Sequence, residues 1–319
     1  MFHRILVPLD GSTRAERAIP VAARLARASG GTVILAQAIA YLNQYDPAVA
    51  PLIVTPKLLQ RQLHEASAYL ARLTQGAALT GVATRVAIEV GVAASVILEV
   101  AASEHADAIV MTSHGRTGFA RWALGSVAQH IATRAPAPVL IVQDQAIQQR
   151  VFAAADRPLR ALVPLDGSPV SERALEPTLA LVEALSASGQ GVIHLMKVVP
   201  AEEEATRQAA YALLLESVTK YLTRTAAETK AKHPTSRVSW SIESDADIAS
   251  GILRVTEEGN EDATAAGGAV GYDLIGMATH GRTGVARWVV GSVTDRVLHT
   301  TRRPILVVRP PAIAAEEAG

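Results

Sequence analysis

The stretch RILVPLD at Arg4–Asp10 is a continuous apolar run that closes on a carboxylate. That pattern predicts a strand buried on both faces of a parallel sheet. Behind it, Ser12 reads as the N-cap of a helix running to about Ala28 and ended by Gly30 and Gly31. Further strands are predicted at Thr32–Ile39, Thr84–Val90, Asp107–Ser113 and Pro138–Gln143. Helices are expected between them at Lys57–Ala78, with Leu59, Leu63, Leu70 and Leu73 on one side, at Ala94–Glu104 and at Ser126–Arg134. A second series follows, with strands near Ala161–Asp166, Val192–Val199, Val238–Ser244, Asp273–Ala278 and Ile305–Arg309. Strict alternation of strand and helix predicts an α/β fold of two tandem, doubly wound, five-stranded parallel-sheet domains, Rossmann-like in winding. In such a sheet a ligand sits at the carboxyl ends of the strands, where strand order reverses.

The two series are copies of one unit. ILVPLDGS at Ile5–Ser12 returns as ALVPLDGS at Ala161–Ser168, and MTSHGRTGFARWALGS at Met111–Ser126 returns as MATHGRTGVARWVVGS at Met277–Ser292. Eleven of those last sixteen positions are identical, glycines, arginines and a serine among them. Core positions can drift while staying apolar, so this identity implies a backbone geometry and a polar surface that both copies need. The domains are set at residues 1–145 and 157–311, joined by a stretch without clear periodicity.

Charge and composition remove several function classes. Thirty basic residues balance thirty acidic ones, so no electrostatic footprint for nucleic acid or an anionic membrane is present. With no cysteine, disulfides and thiolate chemistry are excluded. No apolar run reaches the roughly 18 residues of a membrane span, and no signal peptide precedes the first strand, so a cytoplasmic protein is expected.

The repeated stretch carries the candidate chemistry. Ser126 followed by Gln129 has the spacing of a capping box, and Ser292 with Asp295 is a looser version, so a helix is expected to start at each Gly-Ser. The unpaired N–H groups and positive dipole end of such a helix bind anions. Gly115 and Gly118 let the backbone approach a ligand, and Arg116 and Arg121 add cationic donors. A structural glycine hinge would use the same residues; duplication with the same Arg and Ser choices favours a phosphate cradle. His114 and His280 could touch phosphate or serve as structural hydrogen-bonders, while Trp122 and Trp288 read as packing anchors. Asp10 and Asp166 could accept from a ribose hydroxyl, or could belong to an Asp-Gly-Ser turn that caps a helix. There is no GxxxxGK[ST], no GxGxxG after the first strand and no GxSxG, and no evident general base stands beside the cradle.

These residues resemble the universal stress protein family in its tandem form. Its nucleotide-binding members carry G-x2-G-x9-G-[ST] after the fourth strand and an Asp ending the first. Gly115, nine residues, Gly125-Ser126 match the second half of that pattern, as do Gly281, nine residues, Gly291-Ser292; Thr112 and Ala278 replace its first glycine. The resemblance implies an adenine nucleotide alpha hydrolase-like fold. It places an adenine nucleotide in the first unit against Pro8, Asp10, Ala38, Met111, Thr112, Gly115, Arg116, Gly125, Ser126 and Val127. In the second unit the matching set is Pro164, Asp166, Val198, Met277, Ala278, Gly281, Arg282, Gly291, Ser292 and Val293. The ligand implied is ATP, or ADP or AMP, with Mg²⁺ accompanying its phosphates; no metal ligands and no catalytic residues of the protein itself are implied. The function implied is stress-response regulation with at most slow ATP hydrolysis; the alternative is a dimerising scaffold that binds no nucleotide. Family members pair through the fifth strand, which implies an intramolecular pseudo-dimer and leaves room for a homodimer. The copies differ by an insertion of about eleven residues within Gly259–Tyr272, on the edge away from the ligand, and by about eight extra residues near Tyr41–Pro56. The latter could be a lid or an ordinary surface loop.

Overall fold

The first strand of each half is apolar enough to lie in the middle of a sheet, and it does. The computed structural model describes residues 1–40, 56–113, 124–143, 152, 158–186, 191–201, 208–259, 271–279 and 291–309. The chain divides into two units, Met1–Val142 and Gln143–Gly319. In the first, Ile5, Leu6 and Val7 of β1 (Arg4–Leu9) have no exposed surface. The other strands are β2 (Thr32–Ile39), β3 (Ala83–Val90), β4 (Ala108–Thr112) and β5 (Val139–Val142). Their order is β3-β2-β1-β4-β5, with every neighbour parallel. The second unit repeats this with β6 (Arg160–Pro164), β7 (Val192–Val199), β8 (Arg237–Ser244), β9 (Leu274–Ala278) and β10 (Ile305–Val308). Its order is β8-β7-β6-β9-β10, again parallel throughout. Strand order therefore reverses between β1 and β4, and between β6 and β9.

The helix expected from Ser12 to Ala28 is two helices, α1 (Thr13–Glu16) and α2 (Ala18–Ser29). The cause is Pro20, which has no N–H to give to the Glu16 carbonyl four residues back. The chain tightens there instead, with the Arg17 N–H bonded to Arg14 O at 3.2 Å. The second unit breaks at the same point: α6 (Pro169–Glu172) is followed by α7 (Leu175–Leu185), with Pro177 four residues beyond Arg173. As expected, Gly30 ends α2 in the left-handed region at φ 67°.

The remaining helices are α3 (Pro56–Thr74), α4 (Ala93–Ser103), α5 (Ser126–Arg134), α8 (Gln208–Lys232), α9 (Ile248–Glu258) and α10 (Ser292–Thr300). The expected Lys57–Ala78 helix stops earlier, and Ala77–Leu79 forms a separate 3₁₀ turn after Gly76. Of its four leucines only Leu70 is fully buried, joined by Ala66. Among the described residues no helix is long and apolar enough to cross a membrane.

The two cores are packed with exchanged volumes. Val110 of β4 and Ala22 of α2 are buried in the first unit; their counterparts are Gly276 and Thr178. A Cβ on Gly276 would stand 2.0 Å from Thr178 Oγ1 and 2.8 Å from its Cγ2. Thr178 cannot swing away freely, because its hydroxyl donates to Ala174 O at 2.6 Å. Gly276→Ala is therefore expected to cost about 1–3 kcal/mol by overpacking. Urea unfolding of Gly276→Ala, alone and with Thr178→Ala, checks this: the second change should recover most of the loss. A single variant as stable as the parent would refute the close packing.

Candidate functional site

At the carboxyl end of β1, Gly11 takes φ 84°, and at the end of β6 Gly167 takes φ 88°, a region open to glycine at little cost. The turn this makes folds each aspartate back on its serine. Asp10 Oδ1 accepts from the Ser12 N–H at 3.0 Å and from Ser12 Oγ at 2.6 Å. Ser12 Oγ in turn accepts the Ala15 N–H at 3.1 Å and caps α1. In the second unit Asp166 Oδ1 takes Ser168 N–H at 2.9 Å and Oγ at 2.6 Å, and Ser168 caps α6 through the Ser171 N–H at 3.1 Å. One oxygen of each aspartate is thus spent on the turn. Behind each aspartate lies a half-buried tyrosine, Tyr69 or Tyr221, whose hydroxyl is shielded from solvent. Burial first, then the Glu16 carboxylate, push the Tyr69 phenol far above its ordinary value. Burial and Glu172 do the same for Tyr221, so both rings stay neutral.

The helices that follow β4 and β9 do not start as the capping-box pattern predicts. The carbonyl that opens α5 belongs to Gly125, which accepts the Gln129 N–H at 2.9 Å. Gly291 does the same for Asp295 at 2.9 Å. Gly125 (φ −65°, ψ 148°) and Gly291 (φ −55°, ψ 137°) are the N-caps, without a side-chain cap hydrogen bond, and Ser126 and Ser292 are the first helical residues. The physical reason is tertiary: the Gly125 N–H is held by Ser113 O at 2.8 Å and the Gly291 N–H by Thr279 O at 2.6 Å. These bonds to the end of the preceding strand set where the helix begins. A glycine cap brings no oxygen to the first-turn N–H groups, which suits a helix end that takes its acceptor from a ligand.

Thr112 and Ala278 close β4 and β9 in regular pairing with Val142 and Val308. Among the described residues, positive φ outside glycine occurs at Phe2 and His105 only. Neither Thr112 nor Ala278 therefore occupies a backbone conformation that needs glycine.

In the second unit these parts surround one cleft of about 500 Å³, within the size range of small-molecule sites. Pro164, Asp166, Val198, Met277, Ala278, Gly291, Ser292 and Val293 all line it. Gly281 and Arg282, with His280 and Trp288, lie outside the described residues. Its walls are mostly apolar, adding Leu165, Met196, Ile248 and Ile252. Thr294 also lines it, and its hydroxyl donates to Ala278 O at 2.9 Å, tying α10 to β9. Gly251 of α9 lets that helix approach Val198: a Cβ there would lie 3.3 Å from both of its methyl groups. The first unit has the reverse pairing of sizes, Ala38 on the strand and Val96 on the helix.

In that first unit, Pro8 stands in β1 beside Ala36 of β2, with Asp10 just past the strand end and Ala38 near the end of β2. Met111 and Thr112 end β4, and Gly125, Ser126 and Val127 open α5. Gly115, Gly118, Arg116, Arg121, His114 and Trp122 lie outside the described residues, as do residues 41–55 and 260–270. Sequence reasoning passed over two polar residues of the second cleft, Ser171 and Lys197. A lysine two residues before the end of an apolar strand was the available signal.

Compared with known proteins, the Universal stress protein family matches this chain at residues 1–143 and again at 159–309. A universal stress protein of Thermus aquaticus is 36% identical over 147 residues, which is 45% of this chain and 100% of that protein. A universal stress protein of Mycobacterium tuberculosis is 26% identical over 214 residues, 65% of this chain and 63% of that protein. The solved structure of a universal stress protein from Archaeoglobus fulgidus covers 97% of this chain and 99% of its own, with a TM-score of 0.64 at 20% identity, a likeness of fold.

Proposed function

The chain belongs to the universal stress protein family through both of its halves, and from that premise we propose that it is a cytoplasmic, adenine-nucleotide-binding regulator of the stress response. ATP, ADP or AMP is the ligand, with Mg²⁺ accompanying the phosphates, and hydrolysis is slow at most. The observation that carries this reading is the second-unit cleft, where a helix end without a side-chain cap, an aspartate and an apolar slot face one space.

The roles follow from chemistry. The first-turn N–H groups of α10 receive phosphate oxygens, helped by the dipole. Arg282, on sequence grounds, adds charge to the same group. Asp166 accepts from a ribose hydroxyl, and Val198, Met196 and Ile252 sandwich the base. Asp10, Ala38 and Gly125–Val127 do the same in the first unit. Slow turnover fits the absence of a P-loop lysine and the commitment of Asp166 to Ser168.

Acid extraction of the purified protein, followed by chromatography, should release an adenine nucleotide, and calorimetry should show ATP binding. Asp10→Asn with Asp166→Asn keeps an oxygen for the serine and so keeps the turn, but places a donor where the ribose hydroxyl donates. ATP affinity is expected to fall about tenfold. Protein that carries no nucleotide and shows no measurable ATP affinity would favour the scaffold instead.

A further inference from the structure

The two units differ beside the aspartate, and the difference is one of charge. Lys197 of β7 lines the second cleft. Its Nζ donates to the Asp166 main-chain oxygen at 2.7 Å and stands 5.6 Å from the centre of the Tyr221 ring. The equivalent residue of β2 is Gln37, paired in register with Leu9, and its Oε1 is buried with no hydrogen-bond partner. Ser171 also lines the second cleft, accepting the Asp166 N–H at 3.3 Å, where the first unit has Ala15. Asp166 with Lys197 therefore carries no net formal charge, while Asp10 with Gln37 carries one negative charge.

Lys197 is poorly placed to hold the phosphates at α10. β6 lies between β7 and β9, so roughly 10 Å of sheet separates the two ends of the cleft. The lysine belongs to the sugar end. In dinucleotide sites a cation near the ribose is what accommodates a phosphate on it, where a carboxylate alone takes the free hydroxyl. Resting on the nucleotide reading above, we propose that the second unit selects an adenine nucleotide bearing a further phosphate on its ribose, with Lys197 as the specificity-determining residue. The first unit, with Asp10 and no cation at this position, takes the unsubstituted nucleotide.

The test uses the full chain with one site closed at a time, and calorimetry with AMP, adenosine 2′,5′-diphosphate and adenosine 3′,5′-diphosphate. With the first site closed by Gly125→Asp, one of the two diphosphates should bind about tenfold tighter than AMP. Adding Lys197→Gln should erase that preference, and Lys197→Arg should keep it. With the second site closed by Gly291→Asp, neither diphosphate should exceed AMP. AMP binding without preference in the Gly125→Asp protein, or a preference that survives Lys197→Gln in a variant melting like its parent, would overturn the assignment of Lys197. Failure of AMP to bind at either site would instead bring down the nucleotide reading, and this inference with it.

Discussion

The Gly291→Asp protein is expected to lose about a hundredfold in ATP affinity at the second unit while melting no lower than its parent. Gly291 is the N-cap of α10, at φ −55° and ψ 137°, which an aspartate adopts without strain. A carboxylate there would accept the first-turn N–H groups intramolecularly and present a negative charge to any phosphate. The chain already contains this arrangement: Asp247 caps α9 by accepting the Ser250 N–H at 2.7 Å. That amide is the leading reason the Asp247 carboxyl is held below its ordinary range. The substitution would convert an anion-receptive helix end into a self-capped one, and Gly125→Asp would do so in the first unit. Stability should rise by a few tenths of a kcal/mol at most, because glycine is itself a tolerable N-cap. Calorimetric titration together with a thermal melt reads both effects. Unchanged affinity in a well-folded variant would mean that the phosphates bind elsewhere.

Acid is expected to weaken the second unit through one buried side chain, by about 3 kcal/mol between pH 6.5 and pH 4. His194 of β7 has no exposed surface. Its Nδ1 lies 2.8 Å from Ser239 Oγ and its Nε2 2.9 Å from Ser241 Oγ, both on β8. Ser241 Oγ donates to Glu243 Oε1 at 3.1 Å, so it accepts from His194, and the proton sits on Nε2. Burial first, and the nearby Arg160 charge second, lower the imidazole to about 4. In the unfolded chain the ring takes up its proton near pH 6.5. Between those values the unfolded state binds more protons, so stability falls as pH falls, and the loss is complete below about pH 4.

His233 works in the opposite sense. Burial pulls it down, but hydrogen bonds to Glu176 and Glu183 outweigh that and raise it, so its contribution is present at low pH and lost as pH rises. The informative quantity is therefore a difference between proteins. The first unit has buried Ile34 where His194 stands. Urea midpoints of the parent and His194→Ile at pH 7 and pH 4 should show a much shallower acid loss in the variant. Equal slopes would rule out His194 as the acid-labile group.

Some parts of the structure were legible because their causes are local. β2 and β7 begin and end where the apolar runs do, at Thr32–Ile39 and Val192–Val199. The broken helix after each Asp-Gly-Ser was also written in the chain, at Pro20 and Pro177, but the continuous apolar spacing masked it. The helices α5 and α10 do begin at Ser126 and Ser292, as the sequence predicts, but their caps are the glycines before them, for a different reason. Ser126-x-x-Gln129 satisfies a local rule, yet the bonds from Gly125 to Ser113 and from Gly291 to Thr279 decide which carbonyl opens each helix. Those partners lie a dozen residues away, and no local pattern contains them.

By itself the sequence determined the duplication, the alternation of strand and helix, and the family, because apolar periodicity and invariant glycines act over short range. It also marked Asp166 and Gly291-Ser292 as chemistry-bearing, since their duplication has no packing explanation. Only the tertiary structure decided what those residues face. β6 and β9 are more than 100 residues apart in the chain, and their pairing brings Asp166 and the N-terminus of α10 to one cleft. The position of Lys197 beneath Asp166 was settled in the same way. Strand register, a long-range hydrogen-bonding property, set its ammonium 2.7 Å from that main-chain oxygen, and nothing in the order of residues along β7 could do so.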